Sequence, residues 1–242
     1  MIEVQGLSKT FTGPDGEEIM AVQDLHFTVR PGEVFGLLGP NGAGKTTTLR
    51  MLCTVLKPTA GFATIAGYDI LQEPSLVRRS LGFLSANTGI YDRMTPTEMV
   101  RYYGRLYGLS GDRLEQRIDE LFTTLQINEF RDLLGGQLST GMKQKVSIAR
   151  ALIHDPPVLI LDEPTAGLDI LVQRSVLRSV QQLRERGKTI VFSTHVMSEV
   201  HKLCDRVAIM SRGRIAACGS LPELREQFAQ QDVEEIFFDL VT

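Results

Sequence analysis

Apolar residues gather in three short, unbroken runs: Val34–Leu38 (VFGLL), residues 158–161 (VLIL) and Thr189–Thr194 (TIVFST). A strand with one wet face alternates apolar and polar positions, whereas a parallel strand covered on both faces reads as a continuous apolar stretch. These runs predict buried parallel strands, and Leu81–Ser85 predicts a further strand. About a hundred residues separate the first run's loop from Asp162, too many for a structureless connection. Within them, Thr95-Pro96-Thr97-Glu98 is a capping box with proline at the first helical position. Leu114, Ile118, Leu121, Phe122 and Leu125 then form an apolar stripe at helical spacing, which predicts core packing and implies no cofactor. Residues 221–242, with Phe237-Phe238 near their end, are expected to pack as a helical appendage. At 242 residues the chain suits one large α/β domain, or one such domain with a helical insertion.

Chemistry collects where the three runs end. After Val34–Leu38 come Gly39-Pro40-Asn41-Gly42-Ala43-Gly44-Lys45-Thr46, a full match to G-x-x-x-x-G-K-[ST] between a predicted strand and a predicted helix. Glycines at this spacing let successive backbone N–H groups converge on phosphate oxygens, and the helix N-terminus adds positive potential. Lys45 supplies a point charge to the β and γ phosphates of a nucleotide, and the Thr46 hydroxyl suits Mg2+. Residues 158–161 lead into Asp162-Glu163. Asp162 is placed to hold Mg2+ directly or through water, and Glu163 to accept a proton from an attacking water. The third run ends at His195. In open α/β sheets ligands lie outside the carboxyl ends of the strands, so Lys45, Glu163 and His195 share one kind of address. Taken alone, Asp162-Glu163-Pro164 also reads as a solvated turn and His195 as a surface residue; the glycine loop is what turns both toward nucleotide chemistry.

Residues 133–145 read LLGGQLSTGMKQK and offer two candidates for a second phosphate contact. After LSTGM, Met142, Val146, Ala149 and Ile153 recur at helical spacing with no breaker, so Ser139 is a natural N-cap and the helix presents its positive end there. After LLGGQ no helix can settle before Gly141, and the position matching Ser139 is Leu134. Ser139-Thr140-Gly141 is the expected phosphate reader, and LLGGQ a flexible approach loop.

A formal charge of −3 disfavours a general polyanion partner despite the local Arg78-Arg79 pair, and no nucleic acid is expected. No apolar run approaches the roughly 20 residues of a membrane-spanning helix, and MIEVQGLSK lacks the pattern of a signal peptide, so a cytosolic location is expected. Cys53, Cys204 and Cys218 show no CxxC spacing and read as structural thiols. His195 and His201 lie six apart, which does not set both on one helical face at metal-ligand spacing.

In this order, the glycine loop, LSTGM before a helix, VLILDEPTAGLD and STH resemble the ATPase subunit of ABC transporters, over roughly residues 2–220. The resemblance implies an α/β P-loop NTPase of ABC type, with a mainly parallel core sheet, an N-terminal antiparallel β-subdomain and an inserted helical subdomain. It divides the chain into an ATPase domain over 1–220, the helical insertion at about 87–155, and the appendage over 221–242. It implies ATP and Mg2+ as cofactors. Gly39, Pro40, Asn41, Gly42, Ala43, Gly44, Lys45, Thr46 and Thr47 would wrap the phosphates, and Phe11 would stack on adenine. Glu163 would be the base, His195 would reach the γ-phosphate, and Thr46 with Asp162 would hold the metal. Two copies, or this chain and a homologous ATPase subunit, would meet head to tail, Ser139 and Gly141 of each completing the site of the other, with Asp169 touching across the dimer. Integral membrane permease subunits would hold the pair on the cytoplasmic face of the membrane.

Departures from the family pattern are local. Thr140 and Met142 replace the commoner Gly and Gln of LSGGQ, leaving the backbone donors in place. The family's glutamine after the strand Leu81–Ser85 is Ala86 here, and Asn87 offers a shorter amide to the metal. STGMKQK, IARALIHDPP and LDEPTAGLD are especially similar to ATPase subunits of bacterial sodium-exporting systems, which implies sodium as cargo; drug and polysaccharide exporters are also related. A soluble ABC ATPase working on DNA or the ribosome is the alternative reading, but such relatives usually carry long coiled-coil insertions or two cassettes. A nucleotide-gated binding module without turnover is opposed by Glu163 and His195.

Overall fold

The computed structural model describes residues 1–85 and 89–241. Strand β1 (Ile2–Thr12) pairs with β2 (Glu18–Val29), and β3 (Val34–Leu38) leads through the glycine loop into α1 (Lys45–Leu52). Then come β4 (Ala60–Ile65), β5 (Tyr68–Asp69), α2 (Pro74–Ser80) and β6 (Leu81–Ser85). Helices α3 (Pro96–Leu106), α4 (Gly111–Leu125) and α5 (Thr140–Leu152) precede β7 (Val158–Asp162). The chain continues through α6 (Ile170–Glu185), β8 (Thr189–Thr194), α7 (Met197–Leu203), β9 (Arg206–Ser211) and β10 (Arg214–Gly219), then α8 (Leu221–Gln227) and α9 (Val233–Val241).

Among the described residues the strands form two sheets. One runs β10-β9-β3-β8-β7-β6, parallel from β9 to β6 with β10 antiparallel at its edge; the other, β2-β1-β4-β5, is antiparallel. Every residue of β3, β7 and β8 is buried, as unbroken apolar runs require of strands covered on both faces. The antiparallel sheet is not wholly N-terminal, because β4 and β5 return to it after the glycine loop and α1. Phe27 of that sheet stacks on Phe35 of β3 with ring centroids 5.3 Å apart, and Leu49, Met51 and Leu52 of α1 fill the same core. The glycine loop thus springs from a strand that is packed from both sides.

Thr95 caps α3 as its box predicts: Oγ1 accepts from Glu98 N at 3.2 Å, and Glu98 Oε2 accepts from Thr95 N at 2.8 Å. The α4 stripe is buried throughout and shares one core with Val100 of α3 and Val146 and Ala149 of α5. Burial of each large apolar side chain there contributes about 1.5–3 kcal/mol. After β10, Leu224, Val233 and Ile236 of the last two helices pack with Met197 and Val200 of α7 and Ile209 of β9. No helix among the described residues is long and apolar enough to cross a membrane.

One polar clip ties α3 to the start of β6. His154, just past α5, stacks on Tyr107 with ring centroids 3.6 Å apart and planes within 3°. Its Nε2 donates to Leu81 O at 3.0 Å, which leaves Nδ1 as the unprotonated nitrogen, buried and with no hydrogen-bond partner among the described residues. A second proton would place a charge in that apolar spot, and burial pushes the His154 pKa down to about 4. The unfolded chain holds its proton up to about pH 6.5, so neutral His154 stabilises the fold above that value and the contribution is lost as pH falls toward 4. Between about pH 6.5 and 5, before most carboxylates titrate, the denaturation midpoint should fall with pH, and His154→Phe should flatten that slope. Chemical denaturation at several pH values measures it; equal slopes for the two proteins would remove the clip from the account.

Candidate functional site

Strand register sets the site. Leu38 pairs with Thr194 and Asp162 with Ser193, so the glycine loop, Glu163 and His195 leave the same edge of the sheet side by side. The loop can close only with glycine at its tight points: Gly44 has φ of 100°, and a Cβ there would stand 2.7 Å from Ala21 O. Asn41 and Gly42 at the loop's crest are exposed, Pro40 and Gly44 are half-buried, and Gly39 and Ala43 are buried beneath it. Lys45 is 4% exposed; its Nζ donates to Gly39 O at 2.7 Å and Pro40 O at 3.1 Å and lies 3.3 Å from Glu163 Oε1. His195 Nδ1 lies 3.5 Å from the other Glu163 oxygen, Oε2. Glu163 is therefore bracketed by two nitrogen groups while keeping part of its side chain open to solvent.

Asp162 is 2% exposed, and its Oδ1 accepts from Thr46 Oγ1 at 3.2 Å and from Ser193 Oγ at 2.7 Å. A buried carboxylate is costly unless its oxygens find donors, and these two hydroxyls supply them. Ser193 Oγ in turn accepts from Glu163 N at 2.9 Å. That bond holds Glu163 at φ of 47°, a left-handed conformation that costs a side-chain-bearing residue about 1–3 kcal/mol and persists only where surroundings enforce it. Thr47 stands half-buried in the first turn of α1, next to Thr46.

Sequence reasoning missed Ser193. A hydroxyl inside an apolar strand was its signal, since a fully buried polar side chain needs a partner. It also missed Glu199, a buried carboxylate of α7 whose Oε2 accepts from Thr194 Oγ1 at 2.5 Å, while Thr194 Oγ1 accepts from Val196 N at 2.9 Å. These bonds brace both sides of His195.

Ser139 and Gly141 lie elsewhere. Ser139 caps α5, its Oγ accepting from Met142 N at 3.3 Å, and among the described residues no hydrogen bond or ion pair joins Ser139 or Gly141 to Lys45, Thr46 or Glu163. They line an open cleft of about 670 Å³ with Met142, Lys145 and Leu171. Gln144 connects this helix to the first site, its Nε2 donating to Pro164 O at 2.5 Å. Asp169 caps α6, its Oδ1 accepting from Leu171 N and Val172 N, both at 3.0 Å. Phe11 is 40% exposed on β1, with Lys9 Nζ 5.1 Å above its ring. Ala86 and Asn87 lie outside the described residues.

The expectation of a flexible LLGGQ segment is corrected. Gly135–Gln137 forms a single 3-10 turn, with Gly135 N donating to Met94 O at 2.9 Å and Gly136 N to Asp92 O at 3.0 Å. A Cβ on Gly135 would stand 2.4 Å from Tyr91 O, so this glycine serves close packing.

The family model described as ABC transporter matches residues 22–166. The chain belongs to the ABC transporter family. It is 44% identical over 220 residues to the ABC transporter ATP-binding protein NatA of Bacillus subtilis (strain 168), covering 90% of this chain and 89% of that one. It is 39% identical to the Nod factor export ATP-binding protein I of Rhizobium sp. (strain N33), covering 98% of this chain and 76% of the relative. A solved dimeric ATP-binding cassette in a post-hydrolysis state, bound to ADP and Pi, superposes with a TM-score of 0.83 at 26% identity, covering 91% of this chain and 98% of that one. As an ABC ATPase, this chain is an ATP-binding, ATP-hydrolysing subunit of a transporter.

Loss of the Ser193 hydroxyl should remove the shorter of the two bonds to Asp162 and free the backbone of Glu163 at once. Ser193→Ala is expected to lower kcat roughly 10- to 100-fold, as supporting hydrogen bonds around reactive groups usually do, while a fluorescent ATP analogue still binds. An unchanged kcat would show that the hydroxyl is dispensable.

Proposed function

We propose that two copies of this chain close head to tail on two ATP molecules, and that hydrolysis reopens them to drive membrane permease subunits. The observation that carries this reading is the separation of the site into halves: Lys45, Thr46, Asp162, Glu163 and His195 at one sheet edge, Ser139 and Gly141 on a helix end with its own cleft. In this reading the 39–47 loop wraps the phosphates, Phe11 stacks on adenine, and Lys45 neutralises the β and γ phosphates. Glu163 takes a proton from water as the water oxygen bonds to the γ-phosphorus and the bond to the ADP oxygen breaks. His195 donates to the γ-phosphate. Ser139 and the N–H groups near Gly141, offered by the other copy, stabilise charge on the transferring group.

Thr46 Oγ1 and Asp162 Oδ1 suit a hard cation, since both are oxygens and they already stand 3.2 Å apart. They would hold Mg2+, which neutralises phosphate charge; Asn87 is the proposed further ligand. The domain organisation follows the same reading, with residues 1–220 as the ATPase, the helical subdomain inserted at about 87–155 and an appendage beyond 220. The subunit would sit peripherally on the cytoplasmic face of the membrane. Sodium is the proposed cargo, supported by the 44% identity to NatA; the Nod factor export relative shows that cargo varies among similar chains.

Glu163→Gln with ATP and Mg2+ should give a stable dimer by size exclusion, because the closed state no longer decays. Gly141→Asp placed in the same chain should abolish that dimer, and alone should lower turnover roughly 100- to 1,000-fold, because a carboxylate at this helix end would oppose the charge developing on the phosphoryl group. A Glu163→Gln chain that stays monomeric with ATP bound would count against the reading. Sodium flux into vesicles rebuilt with the co-purified permease tests the cargo.

A further inference from the structure

We propose that an exposed groove along α6 receives the acidic helix α9 of a second copy, so that the dimer carries a pair of electrostatic clamps outside its nucleotide sites. The inference rests on the head-to-tail reading above. A Cβ on Gly141 would stand 2.7 Å from Val172 Cγ2, so the N-terminus of α5 and the first turn of α6 present one continuous surface. At that turn Ile170 and Leu171 are 79% and 75% exposed. On the other half-site, His195 adjoins Glu163 and leads into α7, whose Met197 and Val200 share an apolar cluster with Val233 and Ile236 of α9. A copy that sets its Ser139 over a neighbour's Lys45 therefore turns the start of α6 toward the neighbour's α7 and α9. The groove is continuous with the proposed nucleotide interface.

Charge identifies the occupant. Ile170, Leu171, Arg174, Arg178 and Lys202 line an open groove of about 630 Å³, apolar at one end and basic along its length. Among the described residues none of the three cations forms an ion pair. Helix α9 carries the complement. Val233 and Ile236 face the core, while Glu234, Glu235 and Asp239 are exposed beside Phe238, itself 55% exposed. No Lys or Arg follows Arg225 in the sequence, and among the described residues these three carboxylates also form no ion pair. Arg174 and Arg178 are one helical turn apart, as are Glu235 and Asp239, so two ion pairs can form side by side with Phe238 against Ile170 and Leu171. Two-fold symmetry makes the contact twice.

The test uses the full chain in the Glu163→Gln background with ATP. Arg174→Glu with Arg178→Glu should raise the dimer Kd roughly tenfold or more at low salt, and Glu235→Lys with Asp239→Lys should do the same. All four changes in one chain should restore tight, salt-sensitive dimerisation, because the charges are then exchanged across the contact. Thermal melting of each monomer should stay near the parent value. Weakening without rescue, or no weakening from either pair, overturns the clamp while leaving the nucleotide sandwich standing. A parent chain that forms no dimer at all overturns both.

Discussion

One carboxylate oxygen organises the site. Asp162 Oδ1 accepts from the hydroxyls of Thr46, at the head of α1, and of Ser193, in β8, and so joins the ends of three neighbouring parallel strands. The group is buried, and a buried carboxylate that lost these donors would be strongly unfavourable. The same Ser193 hydroxyl receives the N–H of Glu163 and holds that residue in a backbone conformation it would not otherwise keep. Glu163 then reaches Lys45 with one oxygen and His195 with the other. Positioning of the reactive groups thus passes through short polar links set on rigid strands, the arrangement that best preserves geometry during a reaction.

The remainder of the molecule divides its labour around this edge. The antiparallel sheet and α1 pack β3 from the side of Phe35, whereas the helices α3, α4 and α5 share a second apolar core with Val34, Leu161 and Phe192 of the parallel sheet, and that core presents the capped end of α5. Gln144 ties that helix to Pro164 beside the reactive edge.

Much of this was legible because its determinants are local or periodic. Unbroken apolar runs marked β3, β7 and β8, the Thr95 box marked the start of α3, and glycine spacing marked the tight loop between β3 and α1. The choice of Ser139 over Leu134 as the helix cap also rested on local chemistry, and α5 starts there. Long-range partners were not legible. The Gly135 and Gly136 amides are satisfied by Met94 and Asp92, some forty residues earlier in the chain, so a segment that looked free is a packed turn. Ser193 bonds to groups that only the strand register brings near, and the return of β4 and β5 to the first sheet depends on pairing across the glycine loop.

The central claim is that each ATP is turned over at a site built from two chains. Mixing a Lys45→Ala copy, which lacks the phosphate charge, with a Gly141→Asp copy, whose facing helix end carries an opposing carboxylate, tests this directly through the ATPase rate. Each copy alone should be nearly inactive, and the mixture should recover activity well above their sum, because one complete site forms in every mixed pair. A mixture no more active than its parts, or full turnover by the Gly141→Asp copy on its own, would contradict the account.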